Sequence, residues 1–209
     1  MRHSNLLIVL LCSLVFVVGC ETKSKSYDGE AVKTTSDHAK EAARRVEERG
    51  GCKYPQGNIY TSYEHSFSFK YPQDWSVIPE NQKSDMVVML TRSVPVNGYL
   101  PNFCISVEKE NPYLFQKKGA YFQNSYGKYL ANVKILELEH GKLDDVDAIF
   151  VRYKGSVNGT EMDQTKILFN DRGKLYSLTF SSPFDKTKQV NQQFDEILAT
   201  FKAGQNYRQ

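Results

Sequence analysis

The sequence predicts an α+β domain, a largely antiparallel β-sheet flanked by helices, that follows a lipoprotein signal peptide and a tether. Three observations support this prediction. An apolar run ends at Cys20, a charged stretch continues to residue 57, and strand-like alternation joined by short turns then leads to a terminal helical segment. The predicted divisions are residues 1–19 for the signal peptide, 20–57 for the lipidated tether and 58–209 for the folded domain.

The composition excludes several classes of protein. With 40% hydrophobic and 24% charged residues, the 209-residue chain resembles neither a disordered protein nor a multi-span membrane protein. A net charge of +3 lacks the basic surplus that phosphate binding requires, so no nucleic-acid partner is predicted. The unusual feature is aromatic, with 13 Tyr and 12 Phe against a single Trp, and we expect most of these rings to fill a core.

The first twenty residues predict a lipid anchor. Arg2 precedes an apolar run over residues 6–18, which is shorter than the about 20 residues of a transmembrane helix and typical of a signal peptide. The run ends in VVGC, which resembles the bacterial lipobox, so Cys20 is the predicted lipidation site and acyl chains such as palmitate would hold the protein at a membrane. The polar residues after Cys20 argue against a buried helix. In the lipoproteins that this motif resembles, Asp after the cysteine favours the inner membrane, so Glu21 favours the outer membrane, facing the periplasm.

The tether contains one predicted helix. Ser36-Asp37-His38 provides an N-cap signal for a helix that ends before Gly50, and the small apolar face of this helix consists of Ala39, Ala42, Ala43 and Val46. A helix with so narrow an apolar face can pack only weakly against another element. We therefore favour a solvated helical spacer over a partner-binding helix.

Strand-like alternation begins after the tether. Residues 67–71 alternate in FSFKY, Pro72 ends that strand, and Trp75 resumes the pattern. The remaining predicted strands cover residues 86–92, 103–108, 133–139, 147–154, 163–169 and 175–181. Hairpin turns are predicted at Asn158-Gly159 and within residues 170–173.

Two helices are predicted within the domain. The first covers residues 112–130, although Gly119 and Gly127 weaken it. The second covers residues 183–202, with apolar residues at spacings of three and four: Val190, Phe194, Ile197, Leu198 and Phe201.

Three segments together resemble a known family. FSFKYPQDW near the start, the paired strands ILFNDRGKLYSLTFSS and the closing helix FDEILATFK are similar to the PsbP-like superfamily and its bacterial DcrB-type lipoproteins. The resemblance covers residues 58–203 and implies an antiparallel sheet flanked by helices that serves as a binding or assembly module. These segments are structural signatures, so the resemblance transfers no metal or partner site to this chain.

The cysteines that remain after processing predict a disulfide. Cys12 leaves with the signal peptide and Cys20 carries lipid, which leaves Cys52 and Cys104 in an oxidising compartment. Two buried thiols without a bridge are the open alternative.

No catalytic or cofactor motif occurs in the sequence. The chain lacks HExxH, CxxC, GxSxG and glycine-rich phosphate loops, and His38, His65 and His140 lie far apart, so no enzyme and no cofactor are predicted. A site that joins His65 with Cys104 is a minor alternative. The carboxylate-rich residues 137–147 favour a solvated hairpin turn over a divalent-cation site, so no metal is predicted.

The leading functional hypothesis is a membrane-anchored, non-enzymatic binding or scaffolding module with a protein partner in the cell envelope. The alternative is a small-ligand carrier or sensor that uses an aromatic cleft between helix and sheet. Its candidate residues are Tyr121, Tyr126 and Tyr129 in the first predicted helix of the domain.

Overall fold

The structure is a computed structural model that describes residues 32–48, 58–78, 85–96, 98–184 and 187–204. In these residues eight strands form one large sheet, in the order β1-β7-β8-β9-β10-β6-β5-β4. Strand β1 runs parallel to β7, and all other neighbours in this sheet are antiparallel. The strands are β1 (Val32–Asp37), β4 (Trp75–Ile78), β5 (Met86–Arg92), β6 (Asn102–Lys109), β7 (Ala131–Leu143), β8 (Val146–Val157), β9 (Thr160–Asp171) and β10 (Lys174–Pro183).

A second, small sheet and three helices complete the described fold. The small sheet has the order β11-β3-β2 and consists of β2 (Asn58–Ser62), β3 (Phe67–Tyr71) and β11 (Lys202–Ala203). The helices are α1 (His38–Glu48), α2 (Gly119–Tyr126) and α3 (Thr187–Thr200), and a 3₁₀ turn (Leu114–Gln116) precedes α2. The predicted α+β class with a largely antiparallel sheet is confirmed. None of the helices in the described residues has the length and apolar character needed to cross a membrane.

Tight two-residue turns join the four longest strands. Asn158 and Gly159 have φ angles of 49° and 82°, and Arg172 and Gly173 have φ angles of 49° and 74°. Both central residues of a type I′ turn need positive φ, which glycine and asparagine adopt at low cost and which matches the twist of the flanking strands. The two turns lie where the sequence predicts them, at Asn158-Gly159 and within residues 170–173.

The carboxylate-rich segment also forms a hairpin. Strand β7 ends at Leu143, and Asp144 and Asp145 make the turn with φ angles of 49° and 68°. Lys202 Nζ donates to Asp144 Oδ1 at 2.7 Å, and Lys40 Nζ donates to Asp145 Oδ1 at 2.8 Å. The aspartates therefore bind lysines of neighbouring elements.

Alternation along the strands gives the large sheet two faces, each with its own apolar cluster. On the first face, α1, α3 and the small sheet cover a core rich in aromatic rings, whose largest fully buried members include Trp75, Phe67, Phe69, Phe103, Phe169, Phe180 and Phe201. On the second face, the 3₁₀ turn and α2 cover a cluster of Leu114, Phe122, Tyr126, Leu130, Ile135, Leu138, Ile149, Val151, Tyr153, Leu168 and Leu175. The abundant aromatic residues thus mainly build the core.

The packed fold extends into the predicted tether, in contrast to a domain boundary at residue 58. Strand β1 pairs with β7, and Asp37 Oδ1 accepts hydrogen bonds from the backbone N–H groups of Ala39 and Lys40, which caps α1 as predicted. The small Ala42 side chain is fully buried against the domain. Arg45 binds Asp195 of α3, with Nη2 to Oδ1 at 2.7 Å. The small alanine side chains let α1 lie close to the domain, and the Arg45–Asp195 ion pair strengthens this contact. Helix α1 is therefore packed against the domain, in contrast to the predicted solvated spacer.

The helix predicted over residues 112–130 is shorter and interrupted. Lys117 has ψ 131° and Lys118 has ψ 168°, so the chain is extended between the 3₁₀ turn and α2. Helix α2 ends at Tyr126, directly before Gly127. The last predicted helix corresponds to α3, which begins four residues later and ends two residues earlier than residues 183–202.

Candidate functional site

A small cleft lies between α2 and the second face of the large sheet. The cavity itself has a volume of ≈ 30 Å³, about that of one water molecule, within ≈ 380 Å³ of empty space that includes open solvent. Its lining is mostly apolar and aromatic, with a few polar groups: Asn111, Leu114, Tyr121, Phe122, Ser125, Tyr126, Lys166, Leu168 and Leu175. The lining has the composition of sites that bind small molecules, although the cavity is smaller than the about 300–1,000 Å³ of such sites, so a ligand would have to widen it.

The spacing of residues along α2 positions the cleft's aromatic wall. Phe122 and Tyr126 are four residues apart, so both rings lie on the helix face that packs on the sheet. Their ring centroids are 6.0 Å apart, and the Tyr126 ring stacks on Tyr153 of β8 at 4.1 Å between centroids. The helix is therefore held against the sheet by stacked rings.

The Tyr126 hydroxyl group is a buried polar atom that makes no hydrogen bond within the protein. Burial raises the pKa of Tyr126 well above its ordinary value, so the hydroxyl stays protonated and able to donate. An unsatisfied buried hydroxyl costs about 1–3 kcal/mol. A group in the cleft that accepted this hydrogen bond would recover that cost.

Lys166 supplies the cleft's positive charge. It lies on β9, is only 3% exposed, and its Nζ lies 5.7 Å from the centroid of the Tyr126 ring. Glu108 is an acidic group that interacts with it, although burial and the nearby Asp85 raise the pKa of Glu108 to about 7. At neutral pH Glu108 is thus only partly charged.

The rim of the cleft is formed by the chain before α2. Asn170 Nδ2 donates to the Asn111 carbonyl oxygen at 2.7 Å, which fixes this segment to the end of β9. Tyr121 is 40% exposed, and Lys117 Nζ lies 4.6 Å from the centroid of its ring. The cleft opens beside exposed aromatic and basic side chains.

The structure brings together two of the three tyrosines predicted as a ligand groove. Tyr121 and Tyr126 line the cleft, whereas Tyr129 follows the end of α2 and is not among the lining residues. The ligand itself stays a prediction.

The predicted cysteine sites lie mainly outside the described residues. This applies to Cys20 and Cys52, so lipidation and the disulfide stay predictions. Cys104 lies on β6, is 3% exposed, and packs with Met86 and Met89 on the second face of the sheet.

The histidines do not assemble a reactive centre in the described residues. His65 lies in the turn between β2 and β3, and its carbonyl oxygen accepts a hydrogen bond from Tyr176, whose ring belongs to the first face. Cys104 lies on the second face, so the sheet separates the two. In the described ranges no group of three or more His, Cys, Asp or Glu side chains could hold a metal ion.

Sequence reasoning missed the buried polar residues of β9. Gln164 and Lys166 are two residues apart and share the second face of the sheet. Gln164 Nε2 donates to Ser181 Oγ at 2.7 Å, and Ser181 Oγ lies 3.3 Å from the Tyr99 hydroxyl oxygen. The sequence does not mark these two residues, because most positions of β9 (TEMDQTKILFND) are polar.

Comparisons with known proteins agree with this fold. The family model described as "PsbP-like protein" matches residues 35–203. The solution structure of cyanobacterial PsbP (CyanoP) from Synechocystis has a TM-score of 0.55 and 15% identity, over 70% of this chain and 92% of that chain. A protein of unknown function and putative regulator from Pseudomonas aeruginosa has a TM-score of 0.50 and 13% identity, over 71% and 97% of the two chains.

A third solved structure is less similar. LpqN, involved in cell envelope biogenesis of Mycobacterium tuberculosis, has a TM-score of 0.49 and 14% identity, over 73% of this chain and 88% of that chain. No curated protein matches the sequence. At such identities the first two likenesses show a shared fold.

Proposed function

Because the chain belongs to the PsbP-like protein family, we propose that it is a lipid-anchored, non-enzymatic binding module of the bacterial cell envelope, of the DcrB type. The observation that carries the proposal is the succession of a lipobox, VVGC, and a PsbP-like domain in one chain. A lipid anchor holds a domain at a membrane surface, where a binding module meets envelope partners at high local concentration.

The arrangement of reactive side chains supports the non-enzymatic part of the proposal. His65 and Cys104 lie on opposite faces of the large sheet, so they cannot act as base and nucleophile in one step. The buried polar side chains Gln164 and Ser181 hydrogen-bond to each other. These are the contacts of a structural network.

The proposed location is the outer membrane, on its periplasmic side. Glu21 follows the lipidated cysteine at the position where Asp favours the inner membrane in lipoproteins of this kind. Separation of inner and outer membranes on a density gradient tests this, and Glu21→Asp is expected to shift the protein towards the inner membrane.

The anchor is tested by changing the cysteine that would carry it. We expect Cys20→Ala to abolish acylation and to leave an uncleaved precursor, seen by mass spectrometry of the N-terminal peptide. Cys12→Ala, in the apolar run of the same segment, is the matched control and should be processed and acylated like the wild type. An N-terminal peptide of the wild type that begins elsewhere than Cys20 would refute the anchor.

The binding role is tested by crosslinking in intact cells. The wild-type protein should form a reproducible adduct with an envelope protein, and releasing the domain from the membrane should reduce that adduct. Repeated crosslinking without any adduct would contradict the scaffolding role and leave the lipid anchor untouched.

The cleft favours a second candidate function, a carrier or sensor of a small ligand. The buried Tyr126 hydroxyl group and Lys166 both line it, and an anionic group on an apolar molecule would accept the hydrogen bond of Tyr126 beside the positive charge of Lys166. Native mass spectrometry of the purified protein should then show a co-purifying small molecule that Lys166→Met loses and Lys109→Met, at an exposed position of β6, retains. Detection of all three proteins only at the masses of their bare polypeptides would contradict this function.

A further inference from the structure

An exposed cluster of aromatic and basic side chains lies at the rim of the cleft. We propose that this aromatic–lysine patch, formed by Tyr113, Phe115, Lys117, Lys118 and Tyr121, docks the domain onto the anionic lipid surface of the membrane that holds its anchor. The inference rests on the proposed lipid anchor and adds a second, non-covalent contact with the same bilayer.

The exposed rings supply an interfacial contact. Tyr113 is 61% exposed, Tyr121 is 40% exposed and Phe115 is 38% exposed, although all three are large apolar side chains close together in sequence. Aromatic side chains with a polar tip favour the boundary between lipid headgroups and acyl chains, where the ring is buried and the hydroxyl stays hydrated.

The charge of the surrounding segment is complementary to an anionic surface. Residues 111–134 contain four lysines and no Asp or Glu. Lys117 and Lys118 lie directly between the exposed rings, and Lys118 is exposed. Basic residues at a membrane surface attract anionic lipids, so charge and exposed rings favour the same partner.

The glutamates of β7 do not face the patch, because Glu139 pairs in register with Phe150, which belongs to the first face of the sheet, and Glu137 lies two residues from Glu139 on the same face. Glu137 Oε1 accepts a hydrogen bond from Arg152 Nη1 at 3.1 Å. Glu139 Oε2 lies 3.5 Å from His38 Nε2 of α1. Both glutamates thus face partners on other elements.

The patch lies next to the point where the chain comes in from the anchor. The Phe115 and His140 ring centroids are 5.8 Å apart, and His140 pairs in register with Lys33 of β1. β1 is the first element of the described residues, and the eleven residues 21–31 that separate it from Cys20 can span at most about 40 Å. A tether this short keeps the β1 edge, and the patch with it, near the bilayer.

The opposite face of the molecule offers a matched comparison site. Ile59 on β2 is 65% exposed, so it is at least as accessible as Phe115, and it belongs to the small sheet that covers the first face of the large sheet. The native Trp75 is 2% exposed. A tryptophan placed at either surface position would therefore report on its own surroundings.

The test uses the polypeptide of residues 21–209, which keeps tether and domain and lacks only the signal peptide and the lipidated cysteine. It is mixed with vesicles of phosphatidylethanolamine containing phosphatidylglycerol, and with vesicles of phosphatidylcholine. We expect binding to the anionic vesicles that weakens with added salt. The emission of Phe115→Trp should shift to the blue, whereas that of Ile59→Trp should stay unchanged.

Charge removal gives an independent measurement. The double variant Lys117→Gln/Lys118→Gln should lower the partition coefficient roughly thirtyfold, because each basic residue near an anionic surface contributes about 1 kcal/mol. Lys70→Gln, at an exposed position on β3, is the matched control and should bind like the unchanged polypeptide.

Three results would overturn the inference: no binding to anionic vesicles, equal affinity for both vesicle types, or equal blue shifts of the two tryptophan reporters. Each concerns the polypeptide without lipid, so it would leave the anchor standing. Failure of acylation at Cys20 would instead overturn the anchor and leave a vesicle contact measurable on its own.

Discussion

One side chain on the second face of the large sheet, Glu108, makes the stability of the protein depend on pH. Burial is the main reason that the pKa of Glu108 is raised to about 7 from the model-peptide value of 4.5. Between these two values the unfolded chain releases a proton that the folded protein keeps, so the free energy of unfolding falls as the pH rises from about 4.5 to 7.

We expect Glu108→Gln to remove this dependence. The variant should melt at a higher temperature than the wild type at pH 8 and show little difference at pH 4.5, measured by circular dichroism across that range. Glu110→Gln, at an exposed position just beyond β6, is the control. A difference in melting temperature between variant and wild type that stays the same at every pH would show that the ionisation of Glu108 is not responsible.

The hydroxyl group of Tyr126 provides a second prediction at this scale. Because it is buried without a hydrogen bond in the protein, Tyr126→Phe should raise the free energy of unfolding by about 1 kcal/mol, measured by urea denaturation. Tyr121→Phe, whose ring is 40% exposed, should have little effect. Destabilisation by Tyr126→Phe would instead show that a bound molecule accepts the hydrogen bond, as the carrier function requires.

At the scale of elements, the docking of α1 is the least expected feature. A thin alanine stripe predicts light docking, but small side chains also let a helix backbone lie close to its neighbours, and Ala42 is fully buried. The contact of Arg45 with Asp195 joins residues 150 positions apart. No pattern within the helix reveals such a partner.

Substitutions at two neighbouring alanines distinguish the packing of α1 against the domain from the formation of the helix alone. Ala42→Leu should overpack the interface and lower the free energy of unfolding by about 2 kcal/mol, measured by urea denaturation. Ala43→Leu, at an exposed position one residue later, adds the same atoms and makes the same change in helix propensity. It should hardly change the free energy of unfolding. Equal effects of the two variants would mean that α1 is a free spacer.

At the scale of the whole molecule, the predicted bridge between Cys52 and Cys104 would close a loop of roughly 50 residues and contribute about 4 kcal/mol in the chain-entropy model. We expect Cys52→Ser and reduction of the wild type to lower the melting temperature by similar amounts, and reductant to have no further effect on the variant. Cys52 is the better position to change, because Cys104 packs with Met89 and its loss would disturb that cluster.

Alkylation of the denatured, unreduced protein provides the direct measurement. A bridged protein takes up no label at either cysteine, whereas labelling of both thiols would contradict the bridge.

Eight of the eleven described strands and the turns between the long strands could be predicted, since alternation and turn residues act over a few neighbours, whereas β1, β2 and β11 were not predicted. The candidate cleft could be predicted only in part. Tyr121 and Tyr126 belong to an aromatic segment that is conspicuous in the sequence. Lys166 lies about 40 residues further on and reaches the cleft only because β9 pairs within the sheet. Tyr129 misses the cleft because α2 ends before it.

The sequence by itself determined the α+β class and most strands and turns of the large sheet, because apolar periodicity and turn residues are local patterns, and the lipobox predicts the address. Only the tertiary structure decided that residues 32–48 belong to the packed fold, that Lys166 and Tyr126 share one cleft, and that an exposed aromatic–lysine patch lies beside β1. The physical reason is that burial depends on which element covers which face of the sheet. That choice is made by contacts between residues far apart in the chain.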